Sequence, residues 1–193
     1  MLGCVASIYM LGDSHTQALG PRLAALLPQH RVIYEAFPGA GTRGATSKMT
    51  QPVGVDVVAI SLGGNDFGDQ SASRAALVQA VRARNPQARL LWLGPFAATA
   101  PDVAKRHGLQ AAAQREQLPA LGVDWLDTRL WSTQLGADGV HFTTSGYDTL
   151  SKALRGSVAS AIGSGVGVLV AVGVAGALLV ALWRRFTHKD LAS

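Results

Sequence analysis

The chain has 193 residues, is 48% hydrophobic and carries a net charge of +5, which suits one domain of ordinary size with a remainder and a core that needs no staples. Cys4 is the sole cysteine, so no internal disulfide forms. The basic residues are scattered without stacking aromatics between them, which argues against a nucleic-acid groove as partner.

In chain order, short apolar runs alternate with longer helix-like stretches. The predicted strands are 7–11, 31–37, 55–61, 89–93 and 123–126. Most are too continuously apolar to have a solvent face, as expected of parallel strands covered on both sides. The predicted helices are 16–27, 42–48, 71–83, 101–117 and 144–155, with Ser71 and Thr144 as N-caps and Pro101 in a first turn. Such alternation gives an α/β fold with a parallel sheet and right-handed crossovers. Ligands then bind beyond the carboxyl ends of the strands. The first strand ends at "GDSH", the second at "FPGAGTRG" and the third at "SLGGNDF", so the most polar, glycine-rich loops share one edge.

Composition shifts near Gly156. Residues 157–183 contain no charge over 27 positions, against about 20 needed for a helix to cross a bilayer core. Trp183 takes an interface position, and Arg184 and Arg185 follow at once. The organisation expected is a catalytic domain at 1–156, a transmembrane helix at 157–183 and a short basic tail at 184–193. Gly163 with Gly167, and Gly173 with Ala177, have the small-xxx-small spacing that lets membrane helices dimerise. The flanking charges do not fix orientation, because Lys152 and Arg155 nearly balance Arg184, Arg185 and Lys189. "MLGCVASIYML" lacks the basic start of a signal peptide. The expectation is a single-pass C-terminal anchor with the side of the membrane open, by tail insertion or by delivery in a virus particle.

A serine hydroxyl becomes a nucleophile only when a base takes its proton, and the base needs an orienting group. Ser14 sits in the first loop. "DGVHF", residues 138–142, supplies Asp138 and His141 three apart, in the chain order Ser–Asp–His. Oxyanion donors are available in the Ser14 N–H, the Asn65 side chain and a glycine N–H after the second strand, at Gly39 or Gly41. Each piece alone has a plainer reading. Asp13 or Ser14 is a natural helix N-cap, "GGND" is a turn, and an Asp and a His three apart often mark a surface loop. Asp13 is expected to brace its loop, Asp66 to bond local backbone, and His15 to stand beside the nucleophile without acting as base. His30 and His107 are isolated, and no cluster has metal-ligand spacing. Phe67 and Phe142 are candidates for contact with the acyl group, and Trp131 for a pocket wall.

Together these segments resemble the SGNH (GDSL-like) hydrolase family. "GDSH" is similar to its first block, the glycine loop to its second, "GGND" to its third and "DGVH" to its fifth, over about residues 7–155. The resemblance implies a flavodoxin-like three-layer α/β/α sandwich around a five-stranded parallel sheet, with no metal or cofactor. It implies Ser14 as nucleophile, His141 as base, Asp138 as its orienter, and Ser14, Gly39 and Asn65 as the oxyanion hole. Position 16 is Thr, so the G-x-S-x-G elbow is not used. The tail block is similar to that of relatives that remove O-acetyl groups from polysaccharide or peptidoglycan. An ester, such as an acetylated glycan, is therefore the expected substrate. A lipid or thioester hydrolase, or a non-catalytic protein that keeps the fold, are the alternatives.

Overall fold

The computed structural model describes residues 5–50, 52–131 and 134–163. Five strands form one parallel sheet: β1 (Ser7–Gly12), β2 (Arg31–Ala36), β3 (Val57–Ser61), β4 (Arg89–Leu93) and β5 (Asp124–Leu126). Their spatial order is β2-β1-β3-β4-β5. The chain winds outward in both directions from β1, so the loops after β1 and β3 diverge and leave a crevice between them.

Alternation along the strands sets the two faces. Ile8 and Met10 of β1, with Val57, Ala59, Leu91 and Leu93, pack on α1 (Ser14–Leu26) and on α5, helical from 144 to 163. Tyr9 and Leu11, with Val58, Ile60, Leu90 and Trp92, pack on α2 (Thr42–Lys48) and α3 (Ser71–Arg84). α4 (Pro101–Gln117) borders the same face and sends the buried Gln114 side chain to the Leu62 carbonyl (3.0 Å). β1, β3 and β4 are almost wholly buried, whereas the edge strand β2 keeps partial exposure along its length.

The elements differ from expectation mainly at their starts. α1 begins at Ser14 rather than position 16, because the Asp13 side chain caps it by accepting the His15 N–H. Ser71 is the first helical residue, not the cap; Asp69 accepts its N–H at 2.8 Å. For α5 the capping hydroxyl belongs to Thr143, which accepts the Gly146 N–H at 3.2 Å, and not to Thr144. α5 also runs past Gly156. Val158 and Ala161 are buried in the core with Tyr147, Leu150 and Leu154, so the first seven residues of the uncharged stretch belong to the folded domain. Among the described residues no helix is long and apolar enough to cross a membrane. The transmembrane expectation for 164–183, the Gly167, Gly173 and Ala177 positions and the basic tail lie outside the described residues.

Candidate active site

The last residue of β1, Gly12, stands where a side chain has no room: an added Cβ would meet the Thr16 hydroxyl and the Ser61 carbonyl. This close approach lets the chain turn sharply from strand into helix and leaves Ser14 at the first position of α1. Asp13, buried below it, accepts the His15 N–H (3.0 Å) through one oxygen and the Asn65 side-chain amide (3.1 Å) through the other. The cap and the brace anticipated for this residue are therefore one arrangement. Burial pushes the Asp13 carboxyl up to about 6.

The other half of the site is a loop closed on itself. Leu135 and Phe142 form an antiparallel bridge, and Gly136 N–H donates to the His141 carbonyl at 2.6 Å. Inside the loop, Asp138 Oδ1 accepts the N–H groups of Val140 (3.0 Å) and His141 (2.9 Å), while Oδ2 accepts His141 Nδ1 at 2.6 Å. The bond from the Val140 N–H, with those from the His141 side chain and backbone, holds the Asp138 carboxyl well below the usual carboxylate range. An ionised carboxylate only accepts, so Nδ1 carries the proton and Nε2 is left as acceptor. Ser14 Oγ lies 3.0 Å from that Nε2. Ser14 thus joins a pair 127 and 124 positions further along the chain in one hydrogen-bonded line.

A cavity of about 300 Å³ opens over Ser14 and His141, and Gly39 and Asn65 are part of its wall. Gly39 has φ +75° and nothing within 4 Å of an added Cβ. Gly41 instead caps α2, and a Cβ there would come within 2.5 Å of Asp66 Oδ1. Of the two candidate glycines, Gly39 is the one on the cavity. Asp66 bonds not local backbone but Thr42, accepting its N–H (2.7 Å) and hydroxyl (2.6 Å) across 24 positions, which ties the third loop to α2.

Phe142 does not reach the cavity wall. It is buried against Phe96 (ring centroids 5.6 Å) and Tyr147 (5.5 Å), so its part is packing rather than substrate contact. Phe67 is exposed beside a neighbouring cavity, and Trp131 packs on the core. His30 accepts the Ala6 N–H, far from the site. His15 is buried behind Ser14, with Nδ1 3.1 Å from the Tyr147 hydroxyl. Burial, reinforced by His141 and His107 nearby, pulls it down to about 3, so it stays neutral. Sequence reasoning missed Val103, Arg106 and His107 of α4, which line the cavity. Their i, i+3, i+4 spacing puts them on one helix face, but spacing does not say what that face meets. No group of three or more metal-ligating side chains occurs among the described residues.

Solved structures share this architecture. A carbohydrate acetylesterase from Sinorhizobium meliloti is 17% identical with a TM-score of 0.69, over 80% of this chain and 99% of that one. An aryl esterase from M. smegmatis is 19% identical with a TM-score of 0.65, over 81% and 99%. A carbohydrate esterase family 2 enzyme with a carbohydrate-binding domain, from Corynascus thermopiles, is 22% identical with a TM-score of 0.63, over 82% and 67%. No curated protein matches the chain. Residues 7–149 match the GDSL-like Lipase/Acylhydrolase family, and the chain belongs to it as an ester hydrolase of the SGNH/GDSL type.

Proposed function

We propose that the chain is a serine esterase that cleaves short acyl groups, in first place O-acetyl groups of a polysaccharide or peptidoglycan, through an acyl-Ser14 intermediate. The observation that carries this reading is the line Ser14–His141–Asp138, with 3.0 and 2.6 Å between successive partners. Ser14 Oγ bonds to the ester carbonyl carbon as its proton passes to His141 Nε2. Asp138 stabilises the imidazolium. The oxyanion is held by the N–H groups of Ser14 and Gly39 and by the Asn65 amide, each such donor contributing a factor of about 10²–10³ in rate. The Nε2 proton then goes to the leaving alkoxide, and the carbon–alkoxide bond breaks. Water repeats the sequence: its oxygen bonds to the carbonyl carbon as His141 takes its proton, the carbon–Oγ bond breaks, the proton passes to Oγ, and the carboxylic acid leaves.

Exposure favours a bulky substrate. The His141 and Asp138 side chains are 47% and 53% accessible, which leaves an ester on a large molecule free to approach. The likeness to a carbohydrate acetylesterase supports the same class without fixing the sugar. A second reading is favoured by one feature, the uncharged stretch. With 157–163 packed in the domain, residues 164–183 still offer 20 uncharged positions, about the bilayer span, as an anchor. An anchored enzyme would meet membrane lipid esters directly.

The test is fluorophosphonate labelling of wild type, Ser14→Ala and His141→Ala, followed by hydrolysis of acetyl and long-chain p-nitrophenyl esters and of acetylated glycans. Labelling of wild type alone with preference for acetyl esters is expected. Preference for long chains transfers the reading to lipids, and folded wild type that takes no label leaves the non-catalytic alternative.

A further inference from the structure

One side chain of α4 separates two cavities. Arg106 lines the one over Ser14, and it also lines a second, of about 450 Å³, with Phe67, Lys105 and Leu109. Its guanidinium is fixed twice. Nε donates to the Gly64 carbonyl at 3.0 Å, next to Asn65, and the Phe67 ring lies face-on at 4.6 Å. The hydrogen bond uses Nε alone and neither of the two terminal nitrogens. Among the described residues no carboxylate lies within ion-pair distance of them. Asp102 and Lys105 flank the second cavity with opposite charges, so Arg106 supplies its surplus positive charge.

Such a guanidinium is prepared for a planar anion. Its two terminal nitrogens form the fork that matches a carboxylate, and little rotamer freedom is left to lose on binding. Phe67 is 69% exposed and Leu109 is 64% exposed, so an apolar ledge flanks the fork. The cavity over Ser14 meets the second cavity at Arg106, the one residue that lines both, so a leaving group directed toward α4 reaches that guanidinium.

We propose that Arg106 and Phe67 form a leaving-group subsite for a ring that bears a carboxylate, so that the preferred substrate is an acylated acidic sugar or a ring acid of similar shape. This rests on the reading of Ser14 as an esterase nucleophile for short acyl groups.

The test compares 4-acetoxybenzoate with its neutral methyl ester, methyl 4-acetoxybenzoate, in full-length wild type, Arg106→Gln, Arg106→Lys and Lys105→Gln. The readout is the ratio of kcat/KM, anionic over neutral, within each variant, so that leaving-group differences cancel between variants. Arg106→Gln is expected to lower the ratio about tenfold, and Arg106→Lys to lower it less, since the charge remains and the fork is lost. Raised ionic strength should lower the wild-type ratio and leave that of Arg106→Gln unmoved. An unchanged ratio in Arg106→Gln, or an equal fall in Lys105→Gln, overturns the subsite while the esterase reading stands. No turnover of either ester by folded wild type overturns the esterase reading, and the subsite with it.

Discussion

Replacing Asp138 with Asn tests the site most sharply, because the loop decides how the amide must sit. Oδ1 of Asp138 accepts two backbone N–H groups, from Val140 and His141, and Oδ2 accepts His141 Nδ1. An asparagine that keeps the two backbone bonds turns its NH₂ toward Nδ1. The proton then moves to Nε2, and the imidazole can no longer accept from Ser14. The alternative is a flip that offers the amide oxygen to Nδ1–H and gives up two backbone bonds, at about 1 kcal/mol each. The flip restores the working tautomer, at about 2 kcal/mol. Losing the negative charge beside the imidazolium adds to this cost, modestly because both side chains are near half-exposed and solvent screens them. A cost of at least about 2 kcal/mol predicts a fall in kcat of about 30-fold or more with KM little changed. p-Nitrophenyl acetate turnover measures it, with thermal melting as the control for folding. A loss below about tenfold in a folded variant would show that Asp138 does not hold the base.

Stability should respond to pH through the two buried residues that flank Ser14, Asp13 and His15. His15 is lowered from 6.5 to about 3, so between these values the unfolded chain binds a proton that the fold refuses, and stability rises with pH. Asp13 is raised from 3.8 to about 6, so in that window the fold keeps a proton the unfolded chain has released, and stability falls with pH. Each slope reaches about 1.4 kcal/mol per pH unit, and from about 4 to 6 they oppose. His15→Gln should remove the rising limb, so that urea midpoints fall from pH 4 to pH 6 relative to wild type; parallel profiles would contradict it. Gly41→Ala brings a Cβ to 2.5 Å from the buried Asp66 Oδ1 and should cost about 1–3 kcal/mol. Gly39→Ala meets no atom but holds φ at +75°, and about 1 kcal/mol is expected; calorimetry orders the two. Truncation after residue 163 should keep the melting temperature, whereas truncation after 156 removes buried Val158 and Ala161 and should cost about 2–3 kcal/mol. Equal melting of the two truncations would place the boundary at 156 after all.

The legible parts of the fold were those with one dominant cause. Continuous apolar runs bounded by glycine and proline marked the strands, and 89–93 agrees residue for residue with β4. Starts of helices were less legible, because several neighbouring side chains compete to cap and only the folded loop decides; Asp69, Ser71, Thr143 and Thr144 are all cap formers. The end of α5 was misplaced for another reason. Composition changes at Gly156, but the spacing 147, 150, 154, 158, 161 continues an apolar helix face straight through it. Ser14, Asp138 and His141 were legible because the chemistry restricts their types and their order along the chain. Arg106 and Tyr147 were not, since their relevance depends on which way a helix faces, and that is settled by packing between elements far apart in sequence.

The same contrast explains how so exposed a site keeps its geometry. Asp138 and His141 are set mainly by short-range bonds within their own loop, with a tie to the rest of the fold, the Thr99 N–H donating to the Gly139 carbonyl at 2.8 Å. Ser14 is set by β1, Gly12 and the Asp13 cap. Between the two reacting side chains themselves one relation remains, the 3.0 Å between Ser14 and His141, and neither residue's surroundings at the surface can guarantee it. Phe142, next to His141, is buried among Phe96, Tyr147 and His15, and His15 is next to Ser14. Each reacting residue is thus one position from a ring in the same buried cluster. Exposure at the site and precision in it are compatible because the alignment is made one layer below, in the aromatic packing, where no substrate has to pass.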